Sequence, residues 1–600
     1  MERYWDCSLC RVENKGQALR CRSCHGKLRG RERLLFEVAD VRRLRPRAMW
    51  LSLIAPGLGQ IYVRRWATGV VFGVLLPLAL GLVLAVWHGF GYGHVYLAGA
   101  AVFVMVLAAA DARWGPARKR PPCQKACPAD VPIPDYLELI RVGDQDQGYG
   151  LLRTRIPLVG TVGRICPHPC EARCLRGIDG EPIAINGCKR YLADAHREDR
   201  RASARPAAPQ VVRLNGAGPR VAVVGSGPAG LACAYYLSLL GASANVFEAG
   251  PVPGGRLVTT IPDYRLPFYI VEEEIEDLQA VGVTFHTGVR VGPGGLAVGD
   301  LLQEYGAVFL AVGAERSIAL EVPGADLCLD FQEVLRAAKA GNPPLLGSRV
   351  AVVGGGNAAV DVCRTVRRLG AGEVHLLYRR TRDEMPARAD EIQEAIREGI
   401  RFRFLADPKG IERTPGGALR VEVQKMRLGA PDATGRPRPL AVEGETWALE
   451  VDAVIPALGQ RVDPGILDDP ALAGLRRLPD GRIWADPATQ RTSLARVYAG
   501  GDVVTGPATA VHAMAQGRRA ALGIFGEIAP ERVPTLRLAD RRLRVPPPVH
   551  RETPEARIRE EMPRIGLRSR LEGFREVELG FHPGEAQREA GRCLQCHREL

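Results

Sequence analysis

An α/β chain carrying two Rossmann-like dinucleotide folds is what three features of the sequence predict. An apolar strand runs into a glycine-rich turn and a helix at Val221–Gly230. The same pattern recurs at Val350–Ala359, and β and α elements alternate from about Arg220 to residue 525. Each feature is weak alone; strand, turn, helix and following strand together specify a nucleotide fold.

In the first motif Gly225 permits the tight turn, Gly227 lets backbone approach a pyrophosphate, and Gly230 lets helix and strand pack. Pro228 and Ala229 open the helix, whose N-terminus faces the phosphates. The next strand ends in Glu248, an acid placed to bond ribose hydroxyls. In the second motif Gly354, Gly356, Asn357 and Ala358 occupy the corresponding turn, and the helix carries Asp361. The strand after it ends in Arg379-Arg380, where no acid is present. Arginine there suits a 2′-phosphate, so NADPH is favoured over NADH. The alternative is an ordinary solvated basic turn. A third strand ends in Gly501-Asp502 and is followed by a helix from about Thr509, which returns the chain to the first nucleotide.

The 600 residues imply several domains, and 46% hydrophobic with 25% charged residues is ordinary for globular protein. The net charge of +14 raises nucleic acid or an anionic membrane face as partners. No basic tract interleaved with aromatics occurs, which argues against nucleic acid. The arginines crowd the edges of an apolar segment instead. Residues 66–110 carry no charged side chain, enough for two crossings of roughly 20 residues each. His88–His94 breaks the run, so a helical hairpin is expected within a membrane segment 40–115; a buried core hairpin is the alternative. The stretch 48–63, broken by Pro56 and Gly57 and flanked by arginines, reads as interfacial. This pattern places the chain in the cell inner membrane with its catalytic domains on the cytoplasmic side.

The 15 cysteines cluster at spacings that favour metal over disulfides. Cys7, Cys10, Cys21 and Cys24 form two C-x-x-C pairs in a segment, 1–30, with little apolar core. A zinc ribbon would supply the missing folding energy, with a rubredoxin-like iron as rival. Cys593-Leu-Gln-Cys596-His597 also matches c-type haem attachment, which needs an exported chain, and no secretory signal starts this one. Cys233 and Cys363 read as core residues.

The chain of motifs resembles the two-dinucleotide-binding flavoproteins. Gly254-Gly255-Arg256-Leu257, Ile261–Pro267, Tyr378–Arg380 with Glu384-Met-Pro386, and Thr509–Gly517 are similar to the glutamate synthase small subunit. They are equally similar to the N-terminal half of dihydropyrimidine dehydrogenase and to the large subunit of the electron-bifurcating ferredoxin–NADP oxidoreductase. The resemblance covers about residues 120–525 and the end of the tail. It implies FAD on the first fold, with Gly255, Arg256, Leu257, Gly501 and Asp502 at the flavin, and an NADP fold inserted in the FAD fold. It also implies a helical domain, 116–205, holding two 4Fe-4S clusters. The expected division is 206–340 and 471–525 for FAD, 341–470 for NAD(P)H, and 526–600 as a tail supplying cluster ligands.

Relatives carry a C-x-x-C before the first cysteine of this domain, and here it looks displaced to the C-terminus. The resemblance thus assigns one cluster to Cys123, Cys174, Cys593 and Cys596, and the other to Cys127, Cys166 and Cys170. The fourth ligand of the latter, a Gln or Glu in relatives, reads Lys189; its neighbour Cys188 is the candidate, though it faces roughly 100° away on an ideal helix. A three-ligand or absent cluster stays open. No C-x4-C redox pair occurs in the FAD fold, which argues against a disulfide mechanism. No catalytic residue is singled out. The implied activity passes electrons from NADPH through FAD and the clusters, or the reverse. The acceptor is a ferredoxin, a synthase-like large subunit or another redox partner. The alternative is a non-catalytic electron-transfer or redox-sensing subunit of a membrane complex.

Overall fold

The computed structural model describes residues 4–6, 13–15, 120–178, 180–203, 218–432, 435–529 and 558–596. In the first of two units, Met1–Arg120 with His597–Leu600, strands β1 (Tyr4–Asp6) and β2 (Glu13–Lys15) pair antiparallel, Trp5 opposite Asn14. The hairpin expected at 66–110, the stretch 48–63 and the thiols Cys7, Cys10, Cys21 and Cys24 lie outside the described residues. Among the described residues no helix is long and apolar enough to cross a membrane.

The second unit, Pro121–Cys596, begins with helices Pro122–Ala126, Ile133–Arg141, Gln145–Arg153, Val159–Ile165 and Ile185–Ser203. Tyr136, Leu137 and Ile140 put one apolar face of the second helix inward. The Tyr136 hydroxyl donates to the Ile185 carbonyl at 2.8 Å. Asp144 caps the third helix, accepting from Gln147 N at 3.1 Å. The tail folds back onto this layer: helix Pro583–Gly591 packs against Ile133–Arg141 and Ile185–Ser203. Arg164 bonds Glu576 at 2.7 Å, Arg176 donates to the Arg592 carbonyl at 3.0 Å, and Gln595 donates to the Pro134 carbonyl at 2.9 Å.

The first nucleotide fold is a parallel sheet of β3 (Arg220–Val224), β4 (Ser243–Glu248), β5 (Thr284–Thr287) and β6 (Ala307–Leu310). It is closed by the distant β16 (Val497–Ala499), in the order β16-β6-β3-β4-β5. After β6 the chain leaves through β7 (Arg316–Ser317) and comes back through β15 (Gln460–Arg461), and these connectors pair antiparallel.

Between them lies the second fold. Its parallel sheet runs β10-β9-β8-β14, from β8 (Arg349–Val353), β9 (Glu373–Tyr378), β10 (Arg401–Phe404) and β14 (Ala453–Pro456). An antiparallel ribbon, β11 (Ala406–Arg413), β12 (Leu419–Pro431) and β13 (Pro437–Val451), is attached to it. Phe331, Val334 and Leu335 pack in the second fold's core, and the chain leaves that fold through the connector at Gln460.

Glu274 staples the helical domain to the first fold. Its Oε1 accepts from Gly160 N at 2.6 Å and its Oε2 from the Thr161 hydroxyl at 2.5 Å, at the start of helix Val159–Ile165. Burial pushes this carboxyl up to about 7, against the pull of those donors.

Candidate functional site

Both glycine turns open into one cavity of about 1520 Å³. Gly225 has φ +96°, and a Cβ there would lie 2.6 Å from the Ala311 carbonyl oxygen, so only glycine fits. A Cβ on Gly230 would meet the Gly225 oxygen at 2.0 Å, whereas one on Gly227 would meet nothing within 4 Å. The free approach at Gly227 is therefore to the cavity and to the start of helix Pro228–Leu239. Glu248 accepts from Ser226 N at 3.0 Å and Gly250 N at 2.8 Å. Pro228, Ala229, Gly255, Leu257 and Gly501 line the same wall.

Arg256 hydrogen-bonds Gln460 and the Ala314 carbonyl and lies 3.5 Å from Asp502. Burial lowers its pKa, and Asp502 opposes that shift. Burial likewise raises the Asp502 carboxyl while Arg256 lowers it. The pair ties the first fold's return strand to the connector of the second fold.

At the second turn Gly354 has φ +144° and its Cβ would lie 2.4 Å from the Ala457 oxygen. Gly356 is open like Gly227, and the Asn357 side chain accepts from Arg388 N at 3.0 Å. Ala358 lines the cavity next to them. The two arginines part company. Arg379 is exposed at the rim, while Arg380 is buried, with Nε donating to the Pro437 carbonyl at 2.8 Å.

The sequence reading missed Arg436, which lines the same end and donates to the Tyr378 hydroxyl at 3.0 Å. It arrives beside β13, and no motif spacing announces it. Also missed was Arg265, which bonds both Asp361 oxygens at 2.7 and 2.6 Å across the two folds.

Ile165 and Pro167, flanking Cys166, complete the cavity lining. Beyond them the cysteines fall into two sets. Burial pushes the Cys123 thiol well up, and nearby Cys593, Cys174 and Cys596 push it further, so these four are within electrostatic reach of one another. Burial and the same neighbours, Cys174 and Cys596, hold Cys593 up at about 12. Cys127, Cys166 and Cys170 form the second set. Tyr136 lies within reach of both. Cys188, the expected fourth ligand of the second set, is fully buried within electrostatic reach of Glu589, Glu171 and Cys593, while Lys189 is within reach of Cys127 and Cys170.

Among the described residues no three His, Cys, Asp or Glu converge closely enough for a single metal ion. A cubane spreads its thiolates over several irons and needs a wider set. Thiolates brought close together repel one another, and a cationic iron core offsets that repulsion. The first set fits such a cluster; the second offers one thiol fewer. Cys233 and Cys363 are fully buried free thiols packed in the cores of the two folds.

Two nucleotide turns on one cavity, beside a cysteine-lined helical domain, define a pyridine-nucleotide oxidoreductase with an iron–sulfur domain. Comparison with known proteins agrees. The pyridine nucleotide-disulphide oxidoreductase family matches residues 219–517, and dihydropyrimidine dehydrogenase domain II, 4Fe-4S cluster, matches 106–201. The beta subunit of NADP(+)-dependent formate dehydrogenase from Moorella thermoacetica is 39% identical over 80% of this chain and 70% of its own. The beta subunit of NADPH-Fe(3+) oxidoreductase from Geobacter sulfurreducens is 35% identical over 80% and 75%. The small chain of glutamate synthase [NADPH] from Escherichia coli is 33% identical over 68% and 88%. The chain belongs to this glutamate synthase small-chain-like family and is an FAD- and NAD(P)H-dependent oxidoreductase with a 4Fe-4S domain.

Proposed function

We propose that this chain oxidises NADPH and sends the electrons singly to a partner protein, with two 4Fe-4S clusters as the relay. The observation that carries the reading is the shared cavity: both glycine turns and the edge of the second cysteine set border it. FAD bound there would supply the conversion, accepting two electrons as a hydride and releasing one at a time.

The chain's own residues do the positioning. Gly227 and the start of helix Pro228–Leu239 receive the flavin pyrophosphate, and Glu248 the ribose. Arg256 and Asp502 fix the flavin end of the cavity. Gly356 and Asn357 receive the second pyrophosphate, while Arg379 and Arg436 offer charge to a 2′-phosphate. Arg265 on Asp361 holds the two folds at one spacing, which keeps the reacting rings aligned. Cys123, Cys174, Cys593 and Cys596 hold the first cluster, and Cys127, Cys166 and Cys170 the second.

The relatives named as beta subunits and a small chain support a redox partner, as a subunit of a larger assembly. The uncharged run 66–110 between arginines supports a hairpin anchored in the cell inner membrane, with the catalytic unit on the cytoplasmic side. Two C-x-x-C pairs in a segment with little apolar core support zinc at Cys7, Cys10, Cys21 and Cys24.

The test is NADPH oxidation by the full chain with a one-electron acceptor, in wild type and in Cys593→Ser/Cys596→Ser. The variant should lose about four irons per chain, keep its flavin and its rapid flavin reduction by NADPH, and lose onward transfer. Unchanged iron and transfer would refute the tail's part in the relay.

A further inference from the structure

The two cysteine sets differ in what stands on their fourth side. The first closes with Cys593 and Cys596 from the tail. At the second, the acidic and imidazole side chains nearest in sequence to its cysteines are engaged with other groups. Cys188 is within electrostatic reach of Glu589, Glu171 and Cys593. Glu171 has both carboxylate oxygens taken, by Asn186 N at 2.8 Å and by Arg559 at 2.8 Å. His168, between Cys166 and Cys170, turns its ring to Glu171 at 3.3 Å and Asp390 at 4.0 Å.

Lys189 carries a charge that reaches both Cys127 and Cys170. It is 7% exposed, and among the described residues no hydrogen bond or ion pair engages its ammonium. An ammonium has three donors and no lone pair, so it cannot bind iron.

We propose that the second set holds its 4Fe-4S cluster by three thiolates, leaving one iron without a protein ligand and therefore exchangeable. This rests on the reading that the set carries a cluster at all. The open iron takes a small exogenous ligand, hydroxide or a low-molecular-weight thiolate, and the Lys189 ammonium offsets that ligand's negative charge. Loss of this iron is an oxidation: the four-iron core gives one electron to ferricyanide and releases one ferrous ion, leaving three irons and all four sulfides. Ferrous iron with one electron from dithiothreitol reverses it.

The experiment uses the full chain purified without oxygen, with iron and sulfide counted first. About eight irons per chain are expected; about four would overturn the cluster reading and this proposal with it. Ferricyanide should then release one iron per chain, leave sulfide unchanged and bring up the EPR signal of an oxidised three-iron cluster. Ferrous iron with dithiothreitol should abolish that signal. Lys189→Glu and Lys189→Gln, each offering an oxygen ligand, should suppress the release several-fold, which assigns it to the second set. Cys188→Ala and His168→Gln should release iron as wild type does. The proposal alone is overturned if wild type starts with eight irons and keeps them all. It also falls if either Cys188→Ala or His168→Gln increases the loss, or if both Lys189 variants lose iron like wild type.

Discussion

The two nucleotide turns use one backbone solution and are supported in opposite ways. In both, a glycine in the positive-φ region tucks under a carbonyl of the neighbouring strand, Ala311 for Gly225 and Ala457 for Gly354. Behind the first turn, helix Pro228–Leu239 is apolar nearly throughout and packs on helix Ala510–Ile528. Their closest approach needs Gly517, whose Cβ would meet the Ala229 oxygen at 2.1 Å. Behind the second, helix Asn357–Arg368 is pinned by charge. Arg364 and Arg368 both bond the fully buried Glu398, at 2.8 and 2.6 Å, and both guanidiniums lie over the Tyr264 ring. The first turn is thus set in an apolar core. The second is set on an ionic network reaching, through Arg265, to the first fold.

The largest effect should come from that network. Glu398→Gln leaves two buried guanidiniums short of countercharge and should cost about 3–5 kcal/mol in denaturant unfolding. The arginines hold this carboxyl down at about 2 from the ordinary 4.5. Its contribution is therefore full above pH 4.5 and is lost as pH falls through about 2. The acid-unfolding curve of the variant should lack that component, and an unchanged curve would show the network to be idle.

Gly230→Ala comes next. Its Cβ has no room against the Gly225 carbonyl, so about 1–3 kcal/mol of overpacking is expected, together with lower flavin content after dialysis. Full flavin retention would mean that the first turn yields more than its dry packing implies.

Arg379→Ala should raise the NADPH Michaelis constant about tenfold, the loss of one charge-assisted hydrogen bond, and leave NADH unchanged. Equal losses for both nucleotides would make the exposed arginine a surface residue and leave Arg436 as the phosphate contact.

The mildest change is Ala359→Gly, which gives the second turn the first turn's third glycine. It should cost about 1 kcal/mol through helix propensity, with nucleotide affinity kept, as thermal unfolding and NADPH titration would show.

Much of this was legible in the chain itself. Strand–turn–helix signals are local, so the residues of both turns, Glu248, the arginines after β9 and Gly501-Asp502 could be read from spacing and resemblance. The displaced C-x-x-C could be read too, since thiol spacing survives in sequence wherever the chain carries it. Where contacts run between remote segments, spacing is silent. Arg436 reaches the cavity from the antiparallel ribbon, and Arg265 meets Asp361 only because the second fold is inserted between β7 and β15.

The direction of a side chain on a helix was the hardest to read. Sequence puts Cys188 and Lys189 side by side, and which of them faces the second cysteine set depends on how helix Ile185–Ser203 is rolled against the tail. The Ala184 N–H bonded to Glu589 at 2.6 Å and the Tyr136 hydroxyl bonded to the Ile185 carbonyl are among the contacts that fix that roll. By itself the sequence determined two nucleotide folds and the donor atoms available to iron, because those depend on residue type and local period. Only the tertiary structure decided which donors meet, because a helix's rotation is set by the surfaces packed against it.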